Sequence, residues 1–477
     1  MAKEGAKLGA KVRSLRRREE LTQVQLAQRL GISASYLNLI EHNRRPLSAQ
    51  LLIRLAQLFN LDLPSFAADD EGQLASDVME AFSDPMFEAL ELTSGDVREL
   101  ASNHPHVARA VIKLYQAYRG MRDSASDLAS AVTDEAKPSS MPSEEIGNLI
   151  QKNNNYFPDL EDSAEMLWRI ARLDRNDMFA GLVAYLDEVH GIKVKVLPSA
   201  QMNRAIRRYD QDAHTLYLSE VLAGRSRCFQ IAHQIALIDS DDILNRTTKD
   251  QTLTSDDSRA LCRVALANYF AAAVLMPYAR FLDGAEELRY DLELLGHRFG
   301  VGFEQVAHRL CTMQRPGAEG VPFHMVRIDV AGNISKRFSA SGFRFARFSG
   351  ACPKWNEHAS FLTPGMVRVQ LNEMPDGMRY FSVARTVWDR RGGFRAAQAL
   401  HAVGVGCEIR HAKRLVYAEG IDLENADPMA IGVACRVCER RDCVQRAFPP
   451  LLQPLKIDEN LRGRSFYMDV DPQKPVD

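Results

Sequence analysis

The sequence predicts a multidomain chain: a small all-α head, an α/β middle, and a mixed α+β C-terminal domain that closes on a cysteine cluster. Three observations carry this. A length of 477 residues suggests about three domains at roughly 100 to 200 residues each. The apolar pattern changes twice along the chain, from helical spacing to alternating helix and strand patterns and then to strand patterns. Charge is segregated as well: residues 1–61 hold 11 Lys and Arg against 4 Glu, so a head of +7 precedes a remainder of −9. A basic head on an acidic body points to a nucleic-acid partner for the head alone.

The head comes first. Leu8, Val12 and Leu15 repeat at helical spacing, with Arg13, Arg16 and Arg17 off that stripe. Thr22 stands at an N-cap before a second helix over Gln23 to Leu30, and Gly31 ends it as a left-handed C-cap requires. Ser33 caps a third helix whose Leu37 and Ile40 face inward. Through Leu21-Thr22-Gln23-x2-Leu26-Ala27, Gly31-Ile32-Ser33 and Ile40-Glu41-x-Asn43-Arg44, this arrangement resembles the helix-turn-helix of the phage-repressor-like (XRE) regulators. In that family the third helix enters the major groove. With Leu37 and Ile40 buried, the groove-facing set is then Ala34, Ser35, Asn38 and Leu39, while Gln23, Tyr36, Arg44 and Arg45 are placed for phosphates.

Acidic amphipathic helices broken at Pro85 and Pro105 follow over 74–118, and residues 120–145, poor in large apolar groups, read as a linker. The expected divisions are a head at 1–66, a helical connector and linker at 67–145, a middle domain at 146–318 and a C-terminal domain at 319–477.

In the middle domain, helices are expected over 164–173, 178–189, 228–237 and 257–276, with strands over 192–197 and 215–218. The strings Ile231-Ala232-His233-Gln234-Ile235-Ala236-Leu237 and Ala267-Asn268-Tyr269-Phe270-Ala271-Ala272-Ala273 look like the ImmA/IrrE domain, a zincin-like peptidase fold. That family's His-Glu-x-x-His helix supplies two zinc ligands and a general base, and a later Glu supplies the third ligand. At the matching positions this chain has His233, Gln234, Leu237 and Val264. Gln is no base near neutral pH and Leu and Val cannot bind zinc, so no catalytic residue is assigned and the chain is expected not to be an enzyme. A fold that loses its metal can keep its cleft for a ligand. Arg204, Arg207 and Arg208, in a strip that ends on Tyr209, are candidates for a phosphorylated ligand there, an ordinary charged strand edge being the alternative.

From Pro322 strands are expected over 325–330, 334–338, 342–348, 366–371 and 379–387. The chain then reaches Cys435-Arg436-Val437-Cys438-Glu439-Arg440-Arg441-Asp442-Cys443, with Cys407 upstream. So charged a segment cannot bury itself for packing alone, and Cys-x2-Cys-x4-Cys plus a fourth thiolate suits one metal centre. The assigned ligands are Cys407, Cys435, Cys438 and Cys443. Cys228, Cys262 and Cys311 read as packing residues, and Cys352, between Ala351 and Pro353, as a possible substitute ligand. Four thiolates fit zinc as well as a [4Fe-4S] cluster.

Several strings stand together here: Ser349-Gly350-Ala351-Cys352-Pro353-x-Trp355-Asn356-x-His358, Met374-Pro375-Asp376-Gly377, Gly406-Cys407, and the cysteine segment continued to Gln445-Arg446-Ala447-Phe448-Pro449. With the head and the degenerate middle, nearly the whole chain resembles the short-chain fatty acyl transcriptional regulators, the group of ScfR, RamB and the mycobacterial-type PrpR. The resemblance implies a regulator of propionate, acetate and related acyl-CoA metabolism, with CoA or an acyl-CoA as effector and an iron-sulfur cluster. The implied partners are a double-stranded DNA operator and a second copy in a homodimer or higher homo-oligomer, since one short recognition helix reads too few base pairs alone.

No secretory segment follows Met1, and the longest strongly apolar stretch, around Phe270 to Met276, is too short to span a bilayer. A cytoplasmic protein with reduced or metallated cysteines is expected, without a membrane partner. Two other functions remain open at this stage. One is an antitoxin-like or stress regulator with a metallopeptidase-type domain, and the other a DNA-binding regulator with a purely structural zinc site.

Overall fold

A computed structural model describes residues 9–18, 21–41, 44–45, 47–59, 70–84, 86–87, 92–130, 142–345, 351–389, 398–449, 464 and 467. Leu8, Asn43, residues 131–141 of the expected linker and residues 346–348 of an expected strand lie outside them. Two compact units form, Met1–Tyr115 and Gln116–Asp477.

In the first unit, α1 (Gly9–Arg18), α2 (Gln23–Leu30), α3 (Ala34–Glu41) and α4 (Ala49–Phe59) enclose a core of Val12, Leu15, Leu26, Leu30, Leu37, Ile40, Leu51 and Leu55. The local signals act as read. Thr22 and Gln25 form a reciprocal capping box, and Gly31 takes φ 68° with its N–H on the last carbonyls of α2. Ser33 Oγ accepts from the Tyr36 N–H at 3.1 Å and caps α3. Helices α5 (Asp70–Ala81), α6 (Ser94–Asn103) and the start of α7 (Pro105–Ser130) share a smaller core around Val78, Val97, Ala101 and Ile112. The linker read from residue 120 is helical up to Ser130.

The second unit takes in the rest of α7 and then α8 (Pro142–Lys152), α9 (Pro158–Ile170) and α10 (Met178–His190). Strands β1 (Lys193–Leu197), β2 (Arg207–Asp210) and β3 (Thr215–Ser219) make a small sheet in the order β1-β3-β2. Helices α11 (Gly224–Asp239), α12 (Asp241–Thr247) and α13 (Asp256–Leu275), then α14 (Tyr278–Glu287), α15 (Leu292–Phe299) and α16 (Phe303–Cys311), complete the helical layer. An ion pair deep in this layer joins α9 to α16: Arg309 donates to both Glu161 oxygens at 2.5 and 2.9 Å, and Tyr269 Oη donates to Glu161 Oε1 at 2.7 Å. Breaking such a pair leaves one buried charge uncompensated, a cost of about 3 to 5 kcal/mol. Among the described residues no single helix is long and apolar enough to cross a membrane; α13 and α14 reach that length together but meet at 64°.

Then come β4 (Phe323–Asp329), β5 (Ile334–Ser339), the short helix α17 (Asn356–Ser360), β6 (Arg368–Glu373), β7 (Arg379–Asp389), β8 (Ala399–Glu408), α18 (Ile409–Ala412) and β9 (Met429–Ala430). The six strands lie in the order β5-β4-β8-β7-β6-β9, antiparallel except for the short β6 and β9 pair. Residues 342–345 are irregular rather than a strand. The strand β8, which was not expected, is central.

Strand alternation gives this sheet two faces. Phe323, Met325, Phe381, Val383, Val403, Val405 and Cys407 face the helical layer in one continuous core that starts at Leu149, so no break in the core marks the expected division at 318/319. Val326, Ile328, Tyr380 and Ala402 face the other way, with Phe343, Phe345, Cys352, Trp355 and Ile431. On this second face Gly404 and Gly406 leave room for α17 and for His324. A Cβ on Gly404 would lie 1.7 Å from Glu357 Oε1, and one on Gly406 2.5 Å from His324 Nε2. His324 stacks on Phe343 at 4.3 Å and shares a 2.7 Å hydrogen bond with Ser341 Oγ. Burial pushes its pKa down to about 3 and that of Glu357 up to about 7.

Candidate functional site: a DNA-reading head and a cysteine centre

In the head, Ser35 and Asn38 are exposed on α3 and Leu39 is half-buried. Gln23, at the start of α2, donates to Asn38 Oδ1 at 3.3 Å and to Glu41 Oε2 at 2.8 Å. The first turn of α2 is thereby joined to the C-terminal half of α3. Arg44 and Arg45 are exposed just beyond α3, their N–H groups on the Leu39 carbonyl, and the Arg45 guanidinium lies 5.9 Å from the ring centre of Tyr36. Ala34, expected in the groove-facing set, is instead half-buried against the head core, as is Tyr36. The sequence reading missed a buried partner beneath this face: Glu41 accepts from Arg16 Nε at 2.6 Å and from Nη2 at 3.1 Å. A charged residue at the inward edge of α3, one turn after Leu37, was the available signal.

In the middle, the four positions of the inherited motif come together without its chemistry. His233 and Gln234 are buried on α11, Leu237 packs at the edge of the core, and Val264 on α13 is 42% exposed. The Arg207 guanidinium is hydrogen-bonded to His233 Nδ1. Burial, and then the Arg207 charge, push the His233 pKa down to about 3, so the ring is neutral. With Nδ1 accepting from Arg207, the ring proton sits on Nε2, and a hydrogen bond to the Val264 backbone works against the downward shift.

The same contact corrects the expected arginine rim. Arg207 and Arg208 are successive residues of β2 and therefore point to opposite faces. Arg207 is held by His233, Arg208 stacks 4.9 Å from the ring centre of Tyr217, and Arg204 is exposed in the preceding turn at φ 68°. The three do not share a rim.

At the far edge of the second sheet, Cys352, Cys435, Cys438 and Cys443 line one cavity together with Pro353, Ile431, Gly432, Arg440 and Arg446. The fourth thiol is thus Cys352 and not Cys407. Cys407 is buried on the opposite face of the sheet, its register partners being Phe323 and Phe381, and burial pushes its thiol up to about 12. Cys228, Cys262 and Cys311 are buried packing residues, as read.

Hydrogen bonds to main-chain carbonyls build the cavity. Cys352 N–H donates to the Val433 carbonyl at 3.1 Å, Trp355 Nε1 to the Gly432 carbonyl at 3.0 Å, and Lys354 Nζ to the Ala430 carbonyl at 3.2 Å. Arg440 reaches back to the carbonyls of Ile431 at 3.1 Å and Glu373 at 2.8 Å. Gly432 is required here, because a Cβ would sit 2.8 Å from Cys438 Sγ. Burial pushes the Cys352 thiol up to about 11, opposed by the main-chain N–H groups of Lys354 and Gly432 that bond to its sulfur. Such N–H to sulfur bonds favour thiolate ligands. Among the described residues no three His, Cys, Asp or Glu side chains are drawn together, as they stand, into a set that could hold a metal ion. What fits a soft metal or iron-sulfur centre is the donor set: four thiols around one cavity, with N–H groups aimed at sulfur.

Three stretches match known families: 7–68 a helix-turn-helix domain, 187–311 the IrrE N-terminal-like domain, and 312–467 the short-chain fatty acyl coenzyme A regulator, C-terminal. The chain is 40% identical over 470 residues to the HTH-type transcriptional regulator RamB of Mycobacterium tuberculosis, covering 97% of this chain and 98% of that protein. It is 41% identical over 465 residues to the propionyl-CoA carboxylase regulator of Cereibacter sphaeroides, again 97% and 98% of the two chains. A solved Mycobacterium tuberculosis transcriptional regulator superposes with a TM-score of 0.66 at 40% identity, covering 69% of this chain and 99% of that one. These relatives are transcriptional regulators and not enzymes. By identity sustained over nearly its full length, the chain belongs to the ScfR/RamB/PrpR family of helix-turn-helix transcriptional regulators.

Proposed function

We propose that this chain is a cytoplasmic regulator of short-chain acyl-CoA metabolism, in the propionate and acetate, methylcitrate or glyoxylate pathways. It binds a double-stranded DNA operator as a homodimer, and its affinity is set by CoA or an acyl-CoA and by a [4Fe-4S] cluster. The observation that carries the reading is the closing of Cys352, Cys435, Cys438 and Cys443 around one cavity in a chain whose head is a capped helix-turn-helix. A cluster held there supplies one-electron redox chemistry and an oxidation-labile link. A metal or cluster held by the four thiols would tie the segment at Cys352, just before α17, to the C-terminal tail. Zinc in the same thiols is the alternative occupant, and it would leave a structural site without redox sensing.

Ser35, Asn38 and Leu39 read base edges, and Gln23, Arg44 and Arg45 position the head on phosphates. The effector contacts are not assigned to Arg204, Arg207 and Arg208, which the fold separates.

The test uses the full chain purified without oxygen and duplexes selected from random sequence. About four irons and four sulfides per chain are expected. Acetyl-, propionyl- or free CoA at millimolar concentration should change affinity for the selected duplex about 5- to 150-fold, the usual span of allosteric coupling. Asn38→Ala should relax base preference, whereas Arg44→Ala should weaken all sequences alike and lower the salt slope by about 1. Zinc in place of iron removes the redox role, and affinity indifferent to all three CoA compounds removes the effector.

A further inference from the structure

The segment from Ala434 to Cys443 has no helix or strand of its own, yet it must present three thiols in fixed directions. Main-chain groups in such a loop need partners, and here one side chain supplies three of its carbonyls with donors. Arg446 is 5% exposed. Its Nη1 donates to the Cys435 carbonyl at 2.7 Å and to that of Phe448 at 3.4 Å. Its Nη2 donates to the Cys438 carbonyl at 2.8 Å and to the Arg440 carbonyl. Its own N–H donates to the Cys443 carbonyl at 3.2 Å. All three tail cysteines are therefore bound through their carbonyls to one residue.

Beside this loop the exposed Phe448 holds its ring centre 5.1 Å from the Arg436 guanidinium. A guanidinium suits the task because its planar fork offers five donors and keeps its charge in a buried place. That charge stands beside the thiols, because Arg446 and Arg440 line the same cavity as Cys352, Cys435, Cys438 and Cys443.

We propose that Arg446 is the positioning residue of the cysteine centre, shaping the loop that presents Cys435, Cys438 and Cys443 and placing a fixed positive charge that favours the centre's more reduced, more negative state. The second half rests on the reading that the four cysteines hold an iron-sulfur cluster; the first half holds for any metal in those thiols.

Three variants of the full chain separate shape from charge. Arg446→Lys keeps the charge and loses the fork, Arg446→Gln keeps a two-donor amide and loses the charge, and Arg446→Met loses both. With anaerobic protein, the readouts are the rate at which a chelator strips the metal and the midpoint potential followed by visible and electron paramagnetic resonance spectra. All three variants should lose metal at least about tenfold faster than wild type, the factor that about 1.4 kcal/mol of lost loop stabilisation produces. Arg446→Gln should shift the oxidised-to-reduced ratio toward the oxidised form by about tenfold, which is about 59 mV for one electron, while Arg446→Lys stays near wild type in potential. If Arg446→Met fails to fold, the other two variants still decide. Stripping rates and potentials equal to wild type in Arg446→Gln and Arg446→Lys overturn the proposal. Zinc in the wild-type protein defeats the cluster reading alone; the stripping rate of zinc from the same variants then decides the positioning role.

Discussion

Exchanging single cysteines for serine separates the two candidates for the fourth thiolate. Cys407→Ser places a hydroxyl among Phe323, Phe381 and the helical core. An unpartnered buried hydroxyl costs about 1 to 3 kcal/mol, which should lower the melting temperature by a few degrees and leave the metal in place. Cys352→Ser acts differently. Dividing the roughly 10 to 16 kcal/mol of a four-thiolate zinc site over its ligands gives about 2.5 to 4 kcal/mol each, or about two to three powers of ten in metal affinity. Loss of that ligand also frees the link between the α17 segment and the tail. The assay is iron, sulfide and zinc content with visible absorbance of anaerobic protein, alongside thermal unfolding. Cys352→Ser should be metal-poor and Cys407→Ser metal-replete. Metal lost from Cys407→Ser and kept in Cys352→Ser would refute the assignment by sheet face.

Three further outcomes follow from buried groups. Burial holds the Glu357 carboxyl at about 7 against its usual 4.5, so its protonated form favours the fold below about pH 4.5 and that advantage is lost as pH rises toward 7. Glu357→Gln should therefore gain stability relative to wild type between pH 5 and 8, on the order of 3 kcal/mol at most; a pH-independent difference in melting temperature would contradict this. Gln234→Glu with Leu237→His and Val264→Glu restores the peptidase ligands on paper, yet Arg207 still fixes the His233 proton on Nε2. Zinc titration should show tight binding only when Arg207→Ala is added, and equal binding without it would remove this explanation. Gly404→Ala drives a methyl into Glu357 and should cost about 1 to 3 kcal/mol by overpacking. Glu357→Ala should suppress most of that cost, whereas additive losses in the double variant would mean that the two do not touch.

What the chain determines locally was legible in its sequence. Thr22 with Gln25, Gly31 and Ser33 are signals between near neighbours, and the helices they bound lie where the pattern put them. The same holds for the helices of the middle domain, set by long stretches of helical spacing, and for the three tail cysteines, whose separation alone brings them into one loop. The degeneracy of the peptidase motif was also plain, because it depends on which side chains exist and not on where they point. Tertiary structure decided the rest. Strand β8 was hidden because Gly404 and Gly406 look unsuited to a strand until Glu357 and His324 are seen to need their space. Arg207 and Arg208 are neighbours in sequence, yet β2 turns them to opposite faces. Cys352 and Cys407 both lie upstream of the tail, and no spacing rule chooses between them. The choice falls to the alternation of β8, which sends Cys407 into the helical core, and to the bonds from Cys352 and Trp355 to Val433 and Gly432, which carry the other thiol to the tail. A strand's alternation shows in sequence, but which of its faces meets which distant segment is fixed only when the sheet packs.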